Sequence, residues 1–278
     1  MKFNSKLNKI VKAVGYKELK VSGFNCEISL LELNHQKYVK WVKKYFPDYK
    51  KIHQNIYSKK LIELYTTFFL LKIKHDETYM DAAGGKYSYI DKIKSKKRLL
   101  QDIRIPKKLK EHFPKKVNFI ESDAGKIPLK NESICCISCH HSFEHFQRNS
   151  DIKFIKEVQR LLSKKGRCAI IPILIGDKYI EVNDKKDFKK HFDKLSKKLI
   201  DKTAILPGGK HSGNFARIYD INAFQRRVLK NIDNKKFEAI LYELRMNRKP
   251  LPNMKLACHK IATKINYPYR ILLIRRKK

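Results

Sequence analysis

Three apolar runs that each end in a carboxylate constrain this chain more than any other feature. Thr78-Tyr79-Met80 runs into Asp81, Arg98 to Gln101 runs into Asp102, and Val117 to Ile120 runs into Glu121-Ser122-Asp123. A fourth run, Ile134 to Cys139, releases the polar cluster His140, His141, Glu144 and His145. Short continuous apolar runs separated by enough chain for a crossover read as buried parallel strands of an α/β sheet. Ligands of such sheets sit beyond the carboxyl ends of the strands. The spacing therefore predicts several acidic side chains along one ligand-binding rim.

The first run leads into Asp81-Ala82-Ala83-Gly84-Gly85-Lys86-Tyr87-Ser88, a glycine turn of the kind that lets backbone approach a nucleotide closely. A short helix, Tyr89 to Lys97, is expected next. Asp102 lies seventeen residues beyond Gly85, close to the ~20 at which a carboxylate grips ribose hydroxyls in dinucleotide folds.

These blocks, joined by Asp123-Ala124, Ile127-Pro128-Leu129 and His141-Ser-Phe-Glu144-His145, resemble the class I S-adenosylmethionine-dependent methyltransferases, specifically a type 11-like branch. The branch pattern is D-A-x-x-[IL]-P-[FL] followed by H-x-x-E-H. The resemblance implies a Rossmann-like, seven-stranded α/β sheet with helices on both faces, and S-adenosyl-L-methionine as cofactor. It implies a cofactor set of Asp81, Ala83 (in the place of the first glycine), Gly84, Gly85, Asp102, Asp123, Ala124 and His140. Asp102 would accept the two ribose hydroxyls, and Asp123 the adenine amine, with the Ala124 amide against the ring.

Methyl transfer from a sulfonium is a direct displacement, so a protein aligns the partners and removes a proton from the acceptor. Histidine titrates near neutrality, which makes His141 the first candidate base, with Glu144 or His145 as its orienting partner. Glu144 and His145 could equally hold the rim together. Farther on, Gly213-Asn-Phe-Ala-Arg217-Ile-Tyr219 resembles the family's G-H-x-R-x-[YF] block, so Arg217 and Tyr219 are substrate candidates. A structural ion pair is an equal reading for Arg217. Ser138-Cys139-His140-His141 lacks both the double proline of DNA amino-methylating enzymes and the Pro-Cys of cytosine C5 enzymes. The resemblance to this branch implies a small molecule or the sugar of a glycan as acceptor, with oxygen as the methylated atom. The alternative is a methyltransferase-like basic module that binds or methylates RNA, with a decayed cofactor site.

The 278 residues divide into an expected helical extension, 1–57, and a methyltransferase domain, 58–278, with a substrate-recognition insertion at 176–212. Tyr38, Val39, Val42, Tyr45 and Phe46 recur at helical spacing, for a helix that either lids the pocket or packs on the domain. Ser58 is placed to cap a longer helix reaching Lys74. Lys165-Gly166 is expected to end a helix that starts near Ser150.

The net charge of +37 attracts anionic membrane surfaces or nucleic acid without favouring nucleic acid, because the lysines are scattered along the chain. Six cysteines and no apolar leader point to a cytoplasmic protein with free thiols. Cys136-Ile-Ser-Cys139-His140 matches a haem-attachment spacing, and these cysteines with His141 and His145 imitate a zinc set. On a strand, Cys136 and Cys139 point to opposite faces, so no metal is expected. Nothing in the sequence fixes an oligomeric state.

Overall fold

The computed structural model describes residues 26–50, 56–85, 88–113, 117–176, 179–182, 215–246, 249–250 and 269–277. Its centre is a nine-stranded sheet. The strands are β1 (Cys26–Leu33), β2 (Thr78–Ala82), β3 (Lys97–Asp102), β4 (Val117–Glu121), β5 (Ile134–His140), β6 (Leu162–Ile171), β9 (Phe237–Met246), β10 (Lys249–Pro250) and β11 (Arg270–Arg276). Two further strands, β7 (Ile180–Val182) and β8 (Ala216–Ile218), form a separate antiparallel ribbon. Along the large sheet the order is β1-β9-β11-β6-β5-β2-β3-β4, and β10 pairs with β9. Strands β4, β3, β2, β5 and β6 are parallel, while β11 lies antiparallel between β6 and β9.

The order reverses at β2, where chain continuing through β3, α3 (Lys107–His112) and β4 goes one way and chain continuing through β5 and β6 goes the other. Such a switch point opens a crevice at the carboxyl ends of its two central strands. The seven strands β4-β3-β2-β5-β6-β11-β9 are those the resemblance implied. The count differs because β10 pairs with β9 and because β1 adds a further parallel strand beside β9, in register from Cys26↔Ala239 to Leu33↔Met246.

That strand corrects the expectation of a helical 1–57 extension: CEISLLEL carries the branched and alternating pattern of a strand. The extension does contain the predicted helix, α1 (His35–Tyr45), capped by Asn34, whose Oδ1 accepts from Lys37 N at 2.9 Å. Tyr38 and Val42 are fully buried, and Trp41 packs edge-on against Tyr65 and at a tilt against Phe68 of α2 (Lys59–Leu71). This is the packing arrangement rather than an open lid. Ser58 caps α2 as expected, accepting from Leu61 N. Residues 1–25 and 183–214, most of the expected insertion included, lie outside the described residues.

Period-two alternation divides the sheet's side chains between two cores. Tyr79, Leu100, Cys136 and Ala169 join the core under α1 and α2. Met80, Leu99, Ile137 and Cys168 join the core under α4 (Ser150–Leu161) and α5 (Ile221–Arg227). Cys136 and Cys139 fall in different cores, as the strand argument requires.

Two local expectations are corrected. The helix over Tyr89–Lys97 is only a single 3-10 turn, Ile90–Lys92, and β3 begins at Lys97. So few residues must also deliver Ile90 and Ile93 to the core, which leaves no room for an α-helix. Lys165-Gly166 does not end α4, which stops at Leu161. It makes an irregularity inside β6, with Lys165 at φ 61° and the register shifting opposite Ile134 and Cys136.

Candidate active site

The ends of β2, β3 and β5 are tied into one rim by side chains that the sequence reading did not single out. Gln101, fully buried, accepts from Ala83 N through Oε1 (3.0 Å) and donates to Ser122 O through Nε2 (2.6 Å). Ser142 Oγ donates to Ala83 O at 2.7 Å. The glycine turn is thus held from both sides, with Ala83 at φ 52° and Gly85 at φ 52°. Gly84 admits no side chain: a Cβ there would lie 2.6 Å from both Asp81 Oδ2 and Leu100 Cδ1.

Two cavities meet at this rim and share Ala83, Asp102 and Ser142 in their walls. The smaller, about 270 Å³, is also bounded by Glu63, Asp81, Gly84 and Gly85. The larger, about 770 Å³, is bounded by Ile103, Asp123, Ala124, His145 and Phe215. Asp81, Asp102 and Asp123 therefore face one continuous crevice.

Asp81 is buried and engaged, accepting from Ser88 Oγ at 2.5 Å and Ser138 Oγ at 3.2 Å, with His140 Nδ1 3.6 Å away. His140 also bonds Thr67 Oγ1 through Nε2 at 3.0 Å. Asp102 accepts from Arg104 N at 3.3 Å, and burial pushes its carboxyl above the usual range against the lowering effect of backbone N–H groups. Asp123 is exposed and accepts from Gly125 N at 2.8 Å. Ile103, next to Asp102, is 78% exposed at the crevice, an apolar plate suited to a heterocycle.

His141 does not suit the role of base. Its Nε2 meets Glu63 of α2 in a close ion pair, and its Nδ1 lies 3.8 Å from Glu144 Oε1. Burial lowers its pKa, but the Glu63 charge and the two carboxylate contacts outweigh burial and lift it to about 10. At neutral pH it already carries the proton a base must be free to accept. Glu144 is buried between His141 and His145, 3.8 Å from each ring. His145 offers the freer ring nitrogen. Its Nδ1 lies 2.5 Å from Phe215 O, which can only accept, so Nδ1 carries the hydrogen and the neutral ring presents its lone pair at Nε2.

Arg217 and Tyr219 do not reach the crevice. Arg217 is fully buried, paired with Asp151 (2.9 Å) and Glu181 (3.0 Å), and donates to Phe146 O and Arg148 O. Tyr219 OH donates to Asp151 Oδ2 at 2.8 Å. The arginine is a strut between β8, β7 and α4, as the ion-pair reading allowed. Glu63, Gln101, Ser142 and Ile103 were missed, although a lone glutamate inside the apolar stretch LIELYTTFFLL was a visible signal for the first.

Residues 92–170 match the family model described as a methyltransferase domain. No curated protein matches the chain. Among solved structures, it is similar to a Burkholderia thailandensis 1,6-didemethyltoxoflavin-N1-methyltransferase crystallised with S-adenosylhomocysteine, at 10% identity and TM-score 0.44, covering 87% of this chain and 90% of that one. It is also similar to S-adenosylmethionine-dependent methyltransferases of Methanosarcina mazei (14% identity, TM-score 0.43, 76% and 96% covered) and Mesorhizobium loti (10%, 0.45, 76% and 97%). Scores this low carry no argument about activity. The matched stretch carries the methyltransferase-domain model, and the switch point and the acid-lined crevice are features such a domain needs to hold S-adenosylmethionine.

The residues present fit that cofactor: a turn where a Cβ cannot be accommodated, a half-buried carboxylate beside it, and a wall carboxylate whose Oε1 lacks a donor.

Proposed function

We propose that the protein methylates a hydroxyl of a small-molecule or sugar acceptor seated in the larger cavity. S-adenosylmethionine, when bound, supplies an electrophilic methyl group on a sulfonium. Asp102 holds the ribose hydroxyls, while Asp123, the Ala124 amide and Ile103 bound the adenine. Asp81, fixed by Ser88 and Ser138, supports the turn from below rather than bonding the ligand directly. His145 takes the acceptor proton at Nε2, with Phe215 O fixing its tautomer and Glu144 close enough to stabilise the imidazolium that results.

The observation that carries this reading is the shared wall. The Asp102-lined cavity continues past Ser142 into a space of about 770 Å³ that holds His145 and the aromatic faces of Phe146 and Phe215. Ligand pockets for small molecules occupy roughly 300–1,000 Å³. Among the described residues no helix is long and apolar enough to cross a membrane.

Transfer of isotopic methyl from the cofactor to separate pools of metabolites, sugars, lipids and tRNA tests the acceptor. Label in a small-molecule or sugar pool is expected, and label confined to tRNA overturns it. With the acceptor found, His145→Gln should lower kcat by about 100-fold while leaving S-adenosylhomocysteine affinity unchanged.

A further inference from the structure

Glu63 lies in the middle of α2 at 1% exposure and forms part of the wall of the smaller cavity. Its Oε2 meets His141, but no described residue donates to its Oε1. A buried carboxylate oxygen without a donor is costly, and native proteins satisfy nearly all such atoms. The other carboxylates of that wall are provided for. Asp81 accepts from two serines, and Asp102 accepts from backbone at the turn. The cavity's ligand is left to supply the donor that Glu63 lacks.

Resting on the cofactor assignment above, we infer that Glu63 receives the α-ammonium of the cofactor's amino-acid end, with Lys60 beside it for the α-carboxylate. Lys60 bounds the same cavity and stands three residues earlier on α2, so the two head groups are neighbours on one helix face. A cation and an anion at that spacing complement a zwitterion. With Asp102 at the ribose, the ammonium is the donor-rich group of the cofactor still without an acceptor. His141 has the supporting part. Set between Glu63 and Glu144, it meets Oε2 and opposes the burial that raises the Glu63 pKa. Glu63 and Lys60 both precede the stretch that matches the methyltransferase family, so α2 would be this chain's own contribution to the cofactor site.

Calorimetric binding of two ligands tests this. S-adenosylhomocysteine carries the amino-acid end, whereas 5′-methylthioadenosine has the same adenosine and sulfur without it. In Glu63→Gln the first should weaken by about 10- to 100-fold, the range of a charge-assisted hydrogen bond, and the second should bind as before. Equal weakening of both would mean Glu63 acts only through the fold, and the inference fails. If neither ligand binds the unaltered protein, the cofactor reading itself is wrong. A measurement on the unaltered protein removes any dependence on how the variant folds. An S-adenosylhomocysteine analogue lacking only the α-amino group should bind about 10- to 100-fold more weakly than the parent, and equal affinity overturns the assignment.

Discussion

On one face of the sheet, Asp151, Glu181, Arg217 and Arg227 form a buried charge cluster; on the other, Glu63, His141 and Glu144 form a second. In the first, each arginine is met by carboxylates and carbonyls. Arg217 pairs with Asp151 and Glu181, and Arg227 takes both oxygens of Asp151 at 2.9 and 2.8 Å. Tyr219 and Tyr179 donate to the same carboxylate oxygens, Asp151 Oδ2 and Glu181 Oε1. In the second, Oε1 of Glu63 and Oε2 of Glu144 have no donor among the described residues, and the cluster borders a cavity. Both are charged, buried and close to the rim, so residue type does not separate them. Saturation does: a closed network holds elements together, and an open one waits for a ligand group.

The sharpest way to break that distinction is to remove the hub of the closed network. Asp151→Ala leaves two buried guanidinium groups short of a partner, and stripping one side of a buried pair costs about 3–5 kcal/mol. Urea unfolding should show a loss of that size, while the fraction that stays folded binds S-adenosylhomocysteine with unchanged affinity. A selective loss of binding at unchanged stability would place the closed cluster in the ligand site after all.

Asp102→Ala asks the converse on the crevice side. Two hydroxyl bonds to one carboxylate disappear, so affinity for S-adenosylhomocysteine should fall by at least 10-fold. Stability should change little, because the carboxyl is held only partly buried and above its ordinary pKa range by that burial. The same variant should weaken 5′-methylthioadenosine to the same extent, which separates it from Glu63→Gln.

The two clusters should also differ in their response to pH. Burial lowers the His141 pKa, but the Glu63 charge and the contacts with Glu63 and Glu144 together outweigh it, so it stands at about 10, against 6.5 for the free side chain. A folded-state pKa raised in this way gives stability that is complete below about pH 6.5 and lost as pH rises through about 10. Unfolding free energy measured from pH 6.5 to 10 should therefore decline. Glu63→Gln should flatten the decline by removing the charge that lifts His141. Asp151→Asn should leave it in place, since Asp151 pairs with Arg217 and Arg227 rather than with His141.

The contrast between the clusters also marks what the sequence could and could not convey. The sheet, its switch point and the crevice carboxylates were legible, because a buried strand requires a short apolar run and its end exposes the polar residues that follow. Asp81, Asp102 and Asp123 stand where those runs predicted. The closed network was half legible, since Arg217 between apolar residues reads the same whether it meets a substrate or Asp151, sixty-six residues away. The rank of His141 above His145 failed for the same reason, because its partner Glu63 is seventy-eight residues away in a helix before the first motif. Strand β1 was hidden in a basic extension whose clearest signal, α1, is helical. Local pattern reports elements, whereas charge partners are set by which elements meet.

The smallest expected effect concerns the turn between the two cavities. Ala83 occupies the place where the family carries its first glycine, and it is held left-handed at φ 52°. A residue with a Cβ is strained by about 1–2 kcal/mol in that region, and glycine is not, although glycine gives back part of the gain as entropy of the unfolded chain. The left-handed state is imposed from outside: Gln101 fixes the Ala83 amide, and Ser142 fixes its carbonyl. Ala83→Gly should therefore stabilise the protein by about 0.5–1 kcal/mol, read as a modest rise in Tm with S-adenosylhomocysteine affinity preserved. Gln101→Ala should erase the benefit, because without that clamp the alanine can relax out of the strained conformation on its own. A Tm that falls on Ala83→Gly would mean the alanine methyl packs usefully into the rim, and the turn would then belong with the closed, structural side of the comparison.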